Sequence, residues 1–246
     1  MELTYGHPKS LKPIQTKYCP GCGHGVIHRL ITEVIDELGL QTKSIIMNPV
    51  GCSIWADLYF DFDSVQVPHG RTPAGATGVK RMLPDHLVIC YQGDGDLAAI
   101  GTAEIIHAAN RGEKFTTIFV NNAIYGMTGG QMAPTTLVGQ KATTAPEGRD
   151  PIEAGMGYPI QVCELLATLG GTKYLARGAV NNPANTRKTK QYIKKAFEAQ
   201  MRGEGFTMVE ILSQCPTNWG LSPAKSVEWL EENMIPFYKL GEVKNT

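Results

Sequence analysis

The sequence predicts an α/β fold: a mostly parallel sheet with helices on both faces. Three observations carry that expectation. The chain has 246 residues, enough to bury a full core in one α/β unit. Short apolar runs with β-branched members alternate with longer stretches at helical spacing. The clearest such unit spans residues 88–122, where a glycine- and acid-rich turn joins a strand to a helix and a second strand follows.

Bulk composition excludes several classes. Lys+Arg and Asp+Glu are equal at 23 each, so no net charge draws the chain to nucleic acid or an anionic membrane. No apolar run reaches transmembrane length, and residues 1–25 lack the apolar core of a signal peptide. A cytoplasmic location is the expectation. In that compartment the six cysteines read as metal ligands, catalytic groups or buried thiols rather than disulfides.

In chain order, residues 1–17 read as an extended N-terminal arm. Tyr18-Cys19-Pro20-Gly21-Cys22-Gly23-His24-Gly25 then places a C-x2-C pair in a glycine-rich turn. Val26, Leu30, Val34 and Leu38 are one turn apart and predict a helix, with Gly39 as its C-terminal cap. Ser44–Met47 reads as a strand ending at a turn that carries Cys52. Trp55 follows closely and is a candidate border of a substrate pocket. His69 stands in a turn, and the small residues 74–78 open a helix reaching Met82.

The central unit runs from a strand at Val88–Tyr91, through Gly93-Asp94-Gly95-Asp96, to a helix over Leu97–Asn110. A strand at Thr116–Val120 ends in Asn121-Asn122. A crossover helix between parallel strands brings both strand ends to one sheet edge. Asp94 and Asn122, 28 positions apart, therefore share the edge where open α/β sheets bind ligands. A carboxylate, an amide oxygen and nearby carbonyls suit Mg2+, an ion that keeps phosphate oxygens in its shell.

Residues 132–160 are rich in Pro, Gly and Thr without periodicity, so they read as a functional loop near the site mouth and an interface. Helices are expected over Gln161–Leu169, Asn185–Gln200 and Leu221–Asn233, and strands over Tyr174–Arg177 and Thr207–Leu212. Lys188, Lys190, Lys194 and Lys195 give one helix a basic face, read as solvated, with docking of an acidic ferredoxin as the alternative. The tail after Pro236 reads as a C-terminal arm. One domain, residues 1–246 with both arms, is the expected organisation.

The cysteines leave three readings open on residues alone. Cys19 and Cys22 could hold zinc, act as a redox pair, or join Cys52 and Cys215 around a [4Fe–4S] cluster, which takes four thiolates. Cys215 follows a strand directly and precedes a proline. Cys90 and Cys163 sit in apolar surroundings and read as core thiols.

The GDG…NN pair resembles the diphosphate-binding signature of thiamine diphosphate enzymes. With AIYGMTGGQ after it, and the set Cys19, Cys22, Cys52 and Cys215, the chain resembles the β subunit of 2-oxoacid:ferredoxin oxidoreductases, from Cys19 to about Trp229. That resemblance implies the thiamine diphosphate-binding fold and coenzyme A-dependent oxidative decarboxylation of a 2-oxoacid. Electrons would pass through a [4Fe–4S] cluster to ferredoxin. It implies Asp94, Asn122 and the Ile124 carbonyl as Mg2+ ligands, and the four cysteines as cluster ligands. It also implies Gly51, Cys52, Ser53, His69, Gly95, Asp96, Gly126 and Met127 along the diphosphate and thiazolium, with glycine at 95 and 126 for close approach to phosphate.

The glutamate that such enzymes set against the aminopyrimidine is not identified in this chain and is expected from an α subunit. A ferredoxin-like subunit is a further expected partner, since no C-x2-C-x2-C-x3-C-P run occurs. Trp55, Met127 and the lack of a basic residue beside the motifs favour a branched-chain substrate such as 2-oxoisovalerate over 2-oxoglutarate. Two other readings remain: a non-redox thiamine diphosphate decarboxylase or synthase half, and a zinc-stabilised binding module.

Overall fold

The computed structural model describes residues 6–246. Helix α1 (His24–Leu38) precedes strand β1 (Ser44–Asn48). A short helix α2 (Ala56–Tyr59) leads to β2 (Asp63–Gln66). Then come α3 (Thr72–Met82), β3 (Leu87–Gly93), α4 (Thr102–Arg111) and β4 (Thr116–Asn121). After a long loop follow α5 (Val162–Ala167), β5 (Thr172–Ala179), α6 (Pro183–Met201) and β6 (Phe206–Leu212). The chain closes with α7 (Pro216–Trp219), α8 (Pro223–Trp229), α9 (Ile235–Phe237) and β7 (Gly241–Asn245).

The strands form one sheet in the order β2-β1-β3-β4-β6-β5-β7. All neighbouring pairs are parallel except β5 with β7. The period-two alternation of strand side chains builds two cores. Leu87, Ile89 and Tyr91 of β3 pack under α1 and α6 with Ile118, Val209 and Ile211. Val88 and Cys90 point to the other face, against Ala76 of α3, Ile105 of α4 and Val162 of α5. Both faces are thus covered, which is why the central strands read as continuous apolar runs. Cys90 and Cys163 are fully buried, as expected of core thiols.

Four expectations need revision. The helix expected over 97–110 is broken: a π-helical turn, Asp96–Ile100, is followed by Gly101, and α4 starts only at Thr102. A Cβ at Gly101 would lie 2.5 Å from the Asp96 carbonyl and 2.7 Å from that of Gly70, so the turn after β3 is wedged against the turn before α3. The final helix also breaks. Ser222 caps α8 by accepting from Lys225 N, but a π-helical turn takes over at Leu230–Met234. The C-terminal tail is not a loose arm, because β7 extends the sheet antiparallel to β5. Of the lysine face, Lys190 and Lys194 pair with Glu33 and Glu37 of α1, and Lys195 pairs with Glu242 of β7. That face holds α6 to its neighbours and is not a free basic patch. Residues 6–17 of the N-terminal segment run along α1 and α2: Lys9 N and Ser10 N donate to the Asp36 carboxylate, and Lys12 N to Tyr59 O. Residues 1–5 of the expected arm lie outside the described residues.

The loop of residues 132–160 contains no helix or strand of its own. A single buried side chain orders it. The Arg149 guanidinium donates to the carbonyls of Ala133, Pro134, Thr136, Met156, Gly157 and Tyr158. A planar fork with five donors suits that ring of acceptors, and an ammonium does not. Replacing Arg149 by Ala is expected to cost on the order of 3 kcal/mol, because several buried carbonyls lose their donors. Limited proteolysis checks this: Arg149→Ala should be cleaved within 132–160 while the wild type resists, and equal resistance would contradict the clamp.

Candidate active site

A cleft of about 240 Å³ opens at the carboxyl ends of β1, β3 and β4. It is lined by His24, Val50, Gly51, Cys52, Ser53 and His69, then by Gly93 to Asp96, Ile100, Val120 and Asn122, and by Ile124 to Thr128. Each expected cofactor-binding position, Gly51, Cys52, Ser53, His69, Gly95, Asp96, Gly126 and Met127, lies on that wall. Asp94, Asn122 and Ile124 lie there too. The strand register explains the meeting: β3 and β4 are adjacent and parallel, with Gly93 opposite Val120.

Asp94 is 3% exposed and organises the turn after β4. Its Oδ1 accepts from Asn122 N at 3.2 Å. Its Oδ2 accepts from Ile124 N at 3.1 Å and from the Thr135 hydroxyl at 2.6 Å. A carboxylate has about four acceptor sites, so Oδ1 keeps one lone pair for a cation. The side-chain amide of Asn122 and the carbonyl of Ile124 take part in no hydrogen bond among the described residues. Burial, partly offset by these donors, pushes the Asp94 carboxyl up to about 7. A divalent cation would restore its charge.

The first asparagine of the NN pair shapes this turn from behind. Asn121 Oδ1 accepts from Ala123 N, and its Nδ2 donates to Glu210, which in turn accepts from the buried Arg177. Ala123 has φ +55°, a left-handed conformation that costs a non-glycine residue about 1 kcal/mol. Thr136 Oγ1 and Gln140 Nε2 both donate to its carbonyl and hold it there. Asn121, Thr135 and Arg149 thus set the positions of Asn122 and Ile124. None of the three was marked from sequence, and only the acid-amide spacing hinted at the turn.

His69 and Asp96 form a second unit. Asp96 is buried, and its carboxylate accepts from His69 Nδ1 at 2.6 Å, Gly70 N at 2.5 Å, Thr72 Oγ1 at 3.0 Å and Gln92 Nε2 at 2.6 Å. With every acceptor site in use, Asp96 orients His69 and anchors the start of α3. His69 is left with Nε2 toward the cleft. Ser53, also on the cleft wall, has its Oγ buried without a hydrogen-bond partner among the described residues. An orphaned hydroxyl, a half-exposed histidine and a cation-ready carboxylate fit a diphosphate bound with a divalent ion.

The cysteines meet the cleft at Gly126. A Cβ there would lie 3.3 Å from Cys52 Sγ and 3.6 Å from Cys215 Sγ. At Gly95 a Cβ would crowd the Tyr125 ring at 3.2 Å. Protein packing thus also favours glycine at these two positions, beside the expected close approach to phosphate. Cys19, Cys22, Cys52 and Cys215 all influence one another electrostatically. Burial pushes the Cys22 thiol up to about 12 and that of Cys52 to about 11, so only the charge of a bound metal would ionise them near neutral pH. Among the described residues, no three His, Cys, Asp or Glu side chains converge closely enough for a single ion.

An aromatic floor under the cysteines was not foreseen. Tyr18 stacks on His24 with centroids 4.7 Å apart, and its hydroxyl donates to Cys52 O at 3.0 Å. His24 Nδ1 is 2.5 Å from the Tyr91 hydroxyl, and burial pushes His24 down to about 4, so it faces the cleft neutral. The only sequence signal was that His24 directly follows the C-x2-C-G turn. Trp55, a candidate pocket border, is not on the cleft wall; Lys17 Nζ sits 5.5 Å above its ring instead.

Asp94 makes stability depend on pH when divalent ions are chelated. Its ordinary value is 3.8 and its folded value about 7, so the folded state binds the proton more tightly. The stabilisation is complete below pH 4 and is lost as pH rises through 7. Melting with a chelator present should show a fall from pH 5 to pH 8 that is steeper in the wild type than in Asp94→Asn. Equal slopes would contradict the assignment.

Residues 50–211 match the family described as thiamine pyrophosphate enzyme, C-terminal TPP binding domain. The chain is 51% identical over 222 residues to ketoisovalerate oxidoreductase subunit VorA of Methanothermobacter marburgensis, covering 90% of this chain and 46% of that protein. It thus spans about half the length of that relative. It is 40% identical to 2-oxoglutarate synthase subunit KorB of Methanocaldococcus jannaschii, covering 92% of this chain and 81% of that one. The solved structure of 2-oxoglutarate:ferredoxin oxidoreductase from Magnetococcus marinus, with 2-oxoglutarate, coenzyme A and succinyl-CoA bound, superposes with a TM-score of 0.83 at 28% identity, over 100% of this chain and 87% of that one. No helix of the described residues is long and apolar enough to cross a membrane. The chain belongs to the thiamine pyrophosphate enzymes, through their C-terminal TPP-binding domain, and among them to the 2-oxoacid:ferredoxin oxidoreductase subunits.

Proposed function

We propose that this chain is the β subunit of a 2-oxoacid:ferredoxin oxidoreductase. It would act as one diphosphate-type thiamine domain in the coenzyme A-dependent oxidative decarboxylation of a 2-oxoacid. The observation that carries this reading is the meeting at Gly126: Cys52 lines the same cleft as Asp94 and Asn122, and Cys215 Sγ lies behind its wall, 3.6 Å from where a Cβ at Gly126 would stand. A non-redox thiamine enzyme has no use for thiols there. When bound, thiamine diphosphate supplies carbanion chemistry and a [4Fe–4S] cluster accepts electrons singly.

The chain's own residues would hold these groups. Asp94 Oδ1, the Asn122 side-chain oxygen and the Ile124 carbonyl are the ligands offered to Mg2+. Ser53 Oγ and His69 Nε2 face the diphosphate, with Asp96 fixing the imidazole. Cys19, Cys22, Cys52 and Cys215 are the cluster ligands. An α subunit would bring the pyrimidine-side glutamate and close the cleft. A ferredoxin-like subunit and external ferredoxin would carry the electrons away, in the cytoplasm.

Two observations support a branched-chain substrate. Val50, Ile100 and Met127 make an apolar rim, at 41, 50 and 44% exposed, and neither Lys nor Arg lines the cleft. The relative at 51% identity is named for ketoisovalerate. A distal carboxylate, as on 2-oxoglutarate, would find no cation on this wall, though the relative at 40% identity is named for that substrate.

The test is a substrate panel on the complex with its partner subunits, purified without oxygen. Reduction of a viologen dye should require thiamine diphosphate, coenzyme A and a 2-oxoacid. 2-Oxoisovalerate should exceed 2-oxoglutarate in kcat/KM by at least about tenfold, the worth of one well-placed contact. Activity without thiamine diphosphate would sink the reading; preference for 2-oxoglutarate would sink only the substrate. Cys215→Ala should abolish dye reduction, whereas intact activity would favour the non-redox enzyme.

A further inference from the structure

Cys215 and the turn after β4 are joined by the side chains of one short helix, α7. Asn218 Nδ2 lies 2.9 Å from the Gly126 carbonyl and 3.4 Å from Cys215 Sγ. One turn position on, Trp219 Nε1 donates to the Asn122 carbonyl at 3.1 Å. The volume around Asn218 is reserved for it. A Cβ at Gly126 would lie 3.6 Å from its Nδ2, and one at Gly130 would lie 3.3 Å from its Oδ1. Gly130 has φ +85°, so the turn Gly126–Gly130 wraps the amide in a conformation that other residues resist.

We propose that Asn218 is a positioning residue that sets the reduction potential of the iron–sulfur centre and ties it to the cofactor turn. The inference rests on the cluster assignment made under the proposed function. Its physics is that of a donor aimed at a thiolate. N–H···S bonds favour the more negative, reduced state, so they raise the potential. The same amide nitrogen holds the Gly126 carbonyl, in the turn that carries Ile124 and Met127. Cleft and cysteine set therefore share one donor group. The sequence carries it as Cys215-Pro216-Thr217-Asn218, where proline starts the helical turn that returns Asn218 to the sulfur three residues back.

Leucine and aspartate both match the shape of asparagine; the first removes the donor and the second replaces it with a negative charge. The experiment is a redox titration followed by electron paramagnetic resonance, on the oxygen-free complex with its partner subunits. The signal read is the one missing from the Cys215→Ala complex. Midpoint potentials should fall in the order wild type, Asn218→Leu, Asn218→Asp. Three equal potentials, or the reverse order, would overturn the inference while leaving the cluster assignment intact. A variant that folds by circular dichroism but holds no iron would also overturn it, because Asn218 would then hold the site together and not tune it. If the wild-type complex has no signal that depends on Cys215, the cluster assignment fails first and takes this inference with it.

Discussion

The hydrogen bonds from the backbone of Asn122 and Ile124 to the buried carboxylate of Asp94 hold the site together. They join the ends of two adjacent parallel strands, and they require the chain after β4 to turn back sharply toward β3. The left-handed Ala123 is the cost of that turn, and Asn121, Thr136 and Gln140 hold it in place. Thr135 adds a third donor to Asp94 from the loop that Arg149 binds together. A charge that the chain buries at the cleft thus reaches, through named bonds, to a loop without regular structure and to the Arg177–Glu210 pair in the core.

A second set of contacts approaches the same turn from the other side. Cys52 and Cys215 crowd Gly126, while Asn218 and Trp219 bond the carbonyls of Gly126 and Asn122. The Tyr18 hydroxyl ties the C-x2-C segment to the Cys52 turn. Thiols from residues 19 and 215, near opposite ends of the chain, are thereby brought against a site built from its middle. The arrangement has a plain physical consequence. Neither group of residues can shift without moving the carbonyls that the other depends on.

Much of this was legible in the sequence, for identifiable reasons. Short apolar runs with β-branched residues revealed the central strands, because both sheet faces are covered and the strands are uniformly apolar. Asp94 and Asn122 were legible because strand ends in a parallel sheet fall on one edge. The break at Gly101 was not, since that turn packs against the carbonyl of Gly70, thirty-one positions away. The tail strand β7 was missed for a similar reason: an edge strand pairs through its backbone and needs no apolar signature. Asp96 was expected along the cofactor, but that its carboxylate gathers four donors and orients His69 and α3 was not legible, because those donors come from residues 69, 70, 72 and 92. Lys190, Lys194 and Lys195 of α6 looked free because their carboxylate partners lie on α1 and β7. Arg149 carried no signal at all, since a guanidinium bound to carbonyls needs no acid at any fixed spacing.

The central claim is that a multi-iron centre and a diphosphate site share the wall at Gly126. Diffraction from crystals of the complex, recorded above and below the iron absorption edge, tests it most directly. The account predicts iron anomalous density bounded by Cys19, Cys22, Cys52 and Cys215, beside density for a diphosphate and its cation at Asp94 and Asn122. A single peak at the zinc edge, or no anomalous density among those cysteines, would contradict it.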